Sequence, residues 1–137
     1  MRLLGIDYGT KRIGLAVGET SPFFVTPLKT LPQSHDLVQQ IIAVAKEEKV
    51  ETIVVGWPVS LTGQAAGETL SLVREFIATL RQQTDLAVIE EDERFTTTMA
   101  DRLHREAGVT KKEKFDRDAL AAALLLETYI EKSSTKF

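Results

Sequence analysis

The sequence predicts an α/β fold, in which a mixed five-stranded sheet with antiparallel and parallel parts is flanked by helices in three layers. Three strand-like segments follow one another with short links at the N-terminus, and helical and strand-like segments alternate after them. Hydrophobic residues make up 43% and charged residues 27% of the 137 positions, which is ordinary for a globular protein. With no internal repeat and no linker, residues 1–137 are predicted to form one domain.

The first three segments predict an antiparallel meander. Residues 2–8 are apolar and end at a turn over residues 9–11. Residues 12–18 alternate bulky residues with Gly14, Ala16 and Gly18, which is typical of a strand with one nearly bare face. Prolines in the third segment restrict residues 24–31 to an irregular edge strand.

The rest of the chain predicts helices in alternation with short core strands. The predicted bounds are residues 37–48, 70–80, 96–107 and 116–131 for the helices and 52–55 and 86–89 for the strands. Ser34 or Asp36 is expected to cap the first helix and Asp116 the last one. The last strand continues into an acidic run at residues 90–93.

Composition excludes several classes of protein. Without cysteine the chain has no disulfide, zinc finger, thiol nucleophile or iron–sulfur cluster. The net charge of −3 gives no global attraction to nucleic acid, so a polyanionic partner must be held by a local basic patch or through bound metal. No signal peptide is evident, and the longest apolar run, residues 119–126, is well short of the ~20 residues of a membrane span. We expect a cytoplasmic protein without membrane contact.

Three acidic features from separate segments match the chemistry of a hard cation. Asp7 lies inside an apolar strand and should be partly buried near the middle of the sheet, and the bare face at residues 14–18 leaves room above it for a group other than a side chain. The acidic run 90–93 follows the last strand, at the edge where ligands bind in open α/β sheets. Asp118 lies at the start of the last predicted helix, beside small residues. Mg²⁺ or Mn²⁺ take oxygen ligands, and two such ions about 4 Å apart can clamp a phosphodiester.

Each acidic feature also has a purely structural interpretation. Asp7 can be satisfied by the turn that follows it, and the run 90–93 can be a solvated surface. Asp118 can simply complement the positive end of a helix dipole.

Basic residues flank all three acidic segments, so a phosphate backbone can be held around the metal. They are Lys11, Arg12, Arg94, Lys111, Lys112, Lys114 and Arg117. Taken singly, most are typical of ordinary surface charges, and Arg94 is favoured because it adjoins the acidic run. Trp57 can stack on a base or pack against the core, and packing is the more common role.

Four motifs resemble the YqgF family, also called RuvX, of pre-16S rRNA nucleases and Holliday junction resolvases. They are GIDYGTKRIGLAVG (residues 5–18), VVGWPVSLTG (54–63), DERFTT (92–97) and DALAAALLLE (118–127). Their order is that of the family, and they span nearly the whole chain. The resemblance implies an RNase H-like fold related to the RuvC resolvase. The second motif departs from the family pattern at Trp57, Ser60 and Thr62.

The resemblance also implies a site and an activity. It marks Asp7, Asp118 and one acid of the third motif, Glu93 or Asp92, as a metal-binding triad. The implied enzyme is an endonuclease that uses Mg²⁺ or Mn²⁺ to hydrolyse nucleic-acid phosphodiesters, with Asp7 between two ions and Glu93 and Asp118 on one each. The nucleic-acid contacts are expected from Lys11, Arg12, Arg94, Lys114 and Arg117.

The implied substrate is either pre-16S rRNA, during 5′-end maturation on ribosomal particles, or a four-way DNA junction. A monomer or a weak homodimer is expected, because no dimer face is evident in the sequence. Two other classes stay open. An actin-like or sugar-kinase phosphotransferase shares the first hairpin, residues 7–10, but needs a second such domain. The second class is a non-catalytic nucleic-acid or ribosome-binding module. The presence of an acid at all three positions of the implied metal site argues against this class.

Overall fold

Five strands form one mixed sheet in the order β3-β2-β1-β4-β5. The computed structural model describes residues 1–58, 66–93 and 111–134. The strands are β1 (Arg2–Asp7), β2 (Arg12–Thr20), β3 (Phe23–Pro32), β4 (Thr52–Pro58) and β5 (Ala87–Glu93). The helices are α1 (Leu37–Glu47), α2 (Ala66–Gln83) and α3 (Lys111–Ser134).

The strand pairing confirms the predicted division of the sheet into two halves. β1 pairs with β2, and β2 with β3, in antiparallel orientation, whereas β1 pairs with β4, and β4 with β5, in parallel. β1 therefore lies at the centre of the sheet, where the two halves meet. Because parallel strands end at the same edge, the carboxyl ends of β1, β4 and β5 lie side by side, as in ligand-binding α/β sheets.

Helices cover both faces of the sheet, each over a separate set of buried apolar side chains. On one face, Ile6 and Ile53 belong to a core that also contains Ile41 of α1 and Ile77 of α2. On the other face, α3 packs on a smaller cluster formed by Leu3, Val54, Leu126 and Ile130. Full burial of one such side chain contributes roughly 1.5–3 kcal/mol, so both layers hold the sheet in place.

The bare face of β2 is covered by α3. Ala16 of β2 packs against Ala122 and Ala123 of the helix, so helix and sheet come close together. At Gly14 the approach is closest: a Cβ atom there would overlap the backbone oxygen of Asp118. The room that these small residues leave is thus taken by α3, and at Gly14 by the helix backbone.

Several elements extend further than the sequence predicted, and three of them, β4, β5 and α3, bear on the site. β4 continues to Pro58 and β5 to Glu93, because the two strands pair along their whole length. α3 begins at Lys111, since the stretch that precedes the apolar pattern is rich in lysine and glutamate, which are good helix formers. Asp116 is therefore inside the helix and not its cap, and Asp118 lies within the helix and not at its start.

Other expectations fall partly outside the described residues. The predicted helix at residues 96–107 does so entirely, as do residues 59–63 of the second motif. Asp36 occupies the N-cap position of α1, as predicted, although its side chain makes no capping hydrogen bond. Among the helices that the structure describes, none has the length and apolar character needed to cross a membrane.

Candidate metal centre

Asp7 is the last residue of the central strand, between β2 and β4. The residue as a whole keeps partial exposure, but its Oδ1 is shielded from water and has no hydrogen-bond partner among the described residues. A buried carboxylate oxygen without a partner carries a large desolvation cost. Such an atom in a native structure requires an explanation, and a bound ion, a bound water and a functional role are among those that apply.

The pKa of Asp7 is raised from 3.8 to about 8. The larger cause is burial, which disfavours the charged form of the carboxyl, and the smaller is the negative charge of Asp118. A bound cation would offset both causes, because it stabilises the charged carboxylate and neutralises the second acid. Without one, Asp7 is mostly protonated at neutral pH.

Asp118 is held over the sheet by α3. Its backbone lies against Gly14 of β2, and Gly14 pairs in register with Asp7 of β1. Because Gly14 has no side chain, the helix comes close enough for the two carboxyl groups to interact. The structure therefore brings together Asp7 and Asp118, two of the three acids that the sequence singled out.

Arg12, the first residue of β2, forms an ion pair with Asp118. Its Nε donates a hydrogen bond to Oδ2 of Asp118, and the two side chains are 27% and 22% exposed. Alternation along β2 puts Arg12 on the same face as Gly14, under α3. The sequence predicts a nucleic-acid contact for Arg12 and does not reveal this pair, because alternation gives only the face of Arg12 and not the position of Asp118 above it.

The parallel strands continue this edge of the sheet toward β5. Asp7 lies in register beside Gly56 of β4, and Gly56 beside Glu91 of β5. Residues paired in register share a face of the sheet, so Asp7 and Glu91 are on the α3 face with a glycine between them. Glu91 is 14% exposed and accepts a 2.8 Å hydrogen bond from Nζ of Lys132. Sequence reasoning treated Glu91 only as part of the acidic run.

The two candidates for the third acid, Asp92 and Glu93, are the last two residues of β5. In register, Asp92 lies opposite Trp57 and Glu93 opposite Pro58. The side chains of Asp92 and Glu93 lie outside the described residues, as does the side chain of Lys114 and the whole of Arg94. The assignments of these residues stay predictions.

Two further basic residues lie near the site. Lys11 is exposed in the turn between β1 and β2, and Arg117 is half-buried beside Asp118 on α3. Trp57 is partly buried and packs against the core on the face opposite α3, which favours the packing role over base stacking.

The described residues fit a divalent cation of the Mg²⁺ or Mn²⁺ type. Asp7 and Asp118 offer the oxygen donors that these ions prefer, and the buried Oδ1 of Asp7 is without a partner in the described structure. Among the described side chains, no three histidine, aspartate or glutamate residues form a group that could hold a metal ion. A third carboxylate therefore has to come from elsewhere, and positions 92 and 93 are the predicted sources.

A family model described as "RuvX: Holliday junction resolvase" matches residues 1–132. The chain belongs to the RuvX family. Curated relatives agree with the assignment. A protein of Maridesulfovibrio salexigens named "Putative pre-16S rRNA nuclease" is 35% identical over 136 residues, covering 97% of this chain and 100% of that protein. A Bacteroides fragilis protein of the same name is 34% identical over 134 residues, 95% of this chain and 96% of that one. The names given to these members of the RuvX family support a nuclease, a hydrolase of phosphodiester bonds.

Solved structures share the fold at low sequence identity. T. thermophilus RuvC, in complex with a Holliday junction substrate, superposes with a TM-score of 0.59 at 15% identity, over 96% of each chain. The Fowlpox virus resolvase in complex with Holliday junction DNA gives a TM-score of 0.56 at 13% identity, over 96% of this chain and 98% of that one. At these identities the likeness concerns the fold alone, and it confirms the RNase H-like architecture expected for the RuvX family.

Proposed function

We propose that this chain, as one nuclease domain spanning residues 1–137, is a metal-dependent endonuclease that acts in 5′-end maturation of pre-16S rRNA. The observation that carries the proposal is the buried Oδ1 of Asp7, which has no hydrogen-bond partner among the described residues and lies near the carboxylate of Asp118. Two acids in this arrangement are unfavourable on their own and become favourable around a divalent cation. The names of the curated relatives support the RNA substrate.

The ligands in this proposal are Asp7, Asp118 and Glu93. Glu93 is preferred to Asp92 because strand alternation puts position 93 on the face of Glu91 and Asp7, and position 92 on the opposite face with Trp57. A pair of Mg²⁺ or Mn²⁺ ions bound there supplies an activated water and neutralises charge on the phosphate. Asp7, Asp118 and Glu93 would hold these ions, with Asp7 the most central of the three.

Basic residues around the acids hold the substrate in this proposal. Lys11 and Arg12 lie at the turn after β1, and Arg117 lies beside Asp118. Together with Arg94 and Lys114 they contact phosphates on either side of the cleaved bond. Such contacts fix the register of the nucleic acid without reading its sequence. The net charge of −3 does not oppose binding, because cation and basic groups lie at the same edge of the sheet.

A second candidate is resolution of four-way DNA junctions. The description of the matching family model and the likeness to two junction-resolving enzymes favour it. A symmetric junction usually requires a two-fold dimer, whereas cleavage of an rRNA precursor does not. Sedimentation of the chain with and without junction DNA therefore helps to separate the two substrates. The rRNA function implies a cytoplasmic protein that meets ribosomal precursor particles.

The test is a cleavage assay on a 5′-extended pre-16S rRNA fragment and on a four-way DNA junction, each with Mg²⁺ and with Mn²⁺. We expect metal-dependent cleavage of the RNA by the wild-type chain and none by Asp7→Asn. Asp85→Asn is the matched control, because Asp85 is exposed before the amino end of β5, away from the site. Cleavage of the junction alone would favour the second candidate. Binding of either nucleic acid without metal-dependent turnover would contradict both and favour a non-catalytic module.

A further inference from the structure

The carboxylate of Asp118 has a cationic partner within the protein. Arg12 lies under α3 at the start of β2, and its Nε donates a hydrogen bond to Oδ2 of Asp118. Both side chains keep about a quarter of their surface exposed, so the guanidinium can leave the carboxylate without being drawn out of the core. Charge-assisted hydrogen bonds of this kind are the stronger class of side-chain contact.

The same carboxylate is a ligand in the proposed function, on which this inference rests. An oxygen that accepts a guanidinium N–H has fewer lone pairs left for a metal ion. A fixed positive charge beside the ligand also repels a divalent cation. Asp7, by contrast, has an oxygen without a partner among the described residues. The two acids of the centre are therefore unequal, since one is open to a cation and the other is engaged by Arg12.

We propose that Arg12 competes with a divalent cation for Asp118. When the cation binds, the guanidinium of Arg12 leaves Asp118 and binds a substrate phosphate. Arg12 is thus a coupling residue between metal and nucleic acid. Its guanidinium suits both partners, because its planar fork of N–H donors matches carboxylate and phosphate oxygens alike. It lies one residue from the exposed Lys11, at the turn where nucleic acid is expected to pass.

The coupling has to be reciprocal. If a phosphate that draws Arg12 away from Asp118 strengthens cation binding, the cation strengthens phosphate binding by the same factor. The free protein then holds metal weakly, and the centre is completed when nucleic acid arrives. Such coupling limits metal-dependent hydrolysis to the bound substrate.

The first measurement is a Mn²⁺ titration of the nucleic-acid-free protein by calorimetry. We expect Arg12→Gln to bind Mn²⁺ about fivefold more tightly than the wild type, the factor that corresponds to about 1 kcal/mol for a partly exposed ion pair. Arg12→Lys keeps the charge and should stay within about twofold of the wild type on the same basis. Arg2→Gln is the matched control, because Arg2 also pairs with a carboxylate, that of Glu48, at the opposite end of β1.

A double-mutant cycle separates competition for Asp118 from a general loss of charge. In the Asp118→Asn background, Arg12→Gln should leave Mn²⁺ affinity unchanged, because the shared carboxylate is gone. A gain that persists there would overturn the assignment to Asp118. Weaker Mn²⁺ binding by Arg12→Gln in the wild-type background would make Arg12 an orienting residue and would also overturn the proposal.

The second measurement tests transfer to phosphate. Ca²⁺ replaces Mn²⁺, and the affinity for a pre-16S rRNA fragment is measured with and without it by fluorescence anisotropy. The enhancement by Ca²⁺ should be smaller for Arg12→Gln than for the wild type, and an equal enhancement would contradict the transfer. If Asp7→Asn abolishes Mn²⁺ binding while Arg12→Gln leaves it unaltered, the inference fails and the proposed function stands. Wild-type protein that binds no Mn²⁺ contradicts both.

Discussion

Asp7 and Gly14 are directly paired across β1 and β2, and the glycine is where α3 comes closest to the sheet. The backbone oxygen of Asp118 lies in the space that a side chain at position 14 would need. The absence of a side chain at Gly14 thus determines how near Asp118 of α3 comes to Asp7 of β1. The electrostatic effect of Asp118 on Asp7 depends on this approach.

Gly14→Ala should separate the two carboxylates. The added methyl overlaps backbone, which cannot move aside as a side chain can, so α3 has to shift outward. We expect a loss of about 1–3 kcal/mol in the free energy of unfolding, which is typical of overpacking, and a loss of Mn²⁺ affinity. Chemical denaturation and calorimetric titration measure the two effects.

Gly18→Ala is the matched control for this substitution. It lies on the same strand and the same face, but its nearest obstacle is the end of the Leu126 side chain, 3.0 Å from the added carbon. The variant should lose some stability and keep its Mn²⁺ affinity. Equal losses of affinity in the two variants would mean that helix packing in general, and not the position of Asp118, controls the site.

Asp7 should make the stability of the metal-free protein depend on pH. Between about pH 4 and pH 8 the folded state keeps a proton on Asp7 that the unfolded chain has released, because the folded pKa is about 8 and the ordinary value is 3.8. The contribution of Asp7 to the free energy of unfolding therefore falls as pH rises through this window, by about 1 kcal/mol per pH unit at most. Above the folded pKa it no longer changes.

Asp7→Asn removes this dependence, since the amide does not titrate. The difference in unfolding free energy between the variant and the wild type, measured without metal by urea denaturation, should grow in favour of the variant from pH 5 to pH 8. Groups that do not interact with Asp7 contribute equally to both proteins, and their contributions cancel. A difference that stays constant over this range would contradict the raised pKa of Asp7.

The third ligand can be identified by comparing two neighbouring acids. Glu93→Gln should lose metal-dependent cleavage by two or more orders of magnitude, as expected when a residue that binds the catalytic ion is removed. Asp92→Asn should retain most of the activity, because alternation puts position 92 on the face away from Asp7. The reverse result would assign the ligand to Asp92 and require a break in the alternation of β5.

The sequence was sufficient to predict the sheet and to single out Asp7 and Asp118, the two acids that the structure brings together. Alternation of large and small residues in β2 predicted a strand with a bare face, and apolar residues around Asp7 placed it in a central strand. Both follow from local periodicity, which strands express directly in sequence. The prediction of a last helix whose small residues let it approach the sheet was also correct, although its start was set five residues too late because residues 111–115 carry no apolar pattern.

Relationships between distant segments could not be predicted in the same way. The pair of Arg12 and Asp118 joins residues 106 positions apart, and its existence depends on how α3 crosses the sheet. The small residues of β2 predicted room above this strand face, but only the packed structure reveals that helix backbone occupies the space at Gly14. The register that puts Glu91 in line with Asp7 depends on where β4 and β5 begin to pair.

The metal centre is tested most directly by anomalous scattering from a crystal soaked in Mn²⁺. We expect a peak at coordination distance, on the order of 2 Å, from carboxylate oxygens of both Asp7 and Asp118, and its loss in Asp7→Asn crystals. If Mn²⁺ binds elsewhere in a protein that cleaves RNA when Mn²⁺ is present, Asp7 and Asp118 are not the metal centre.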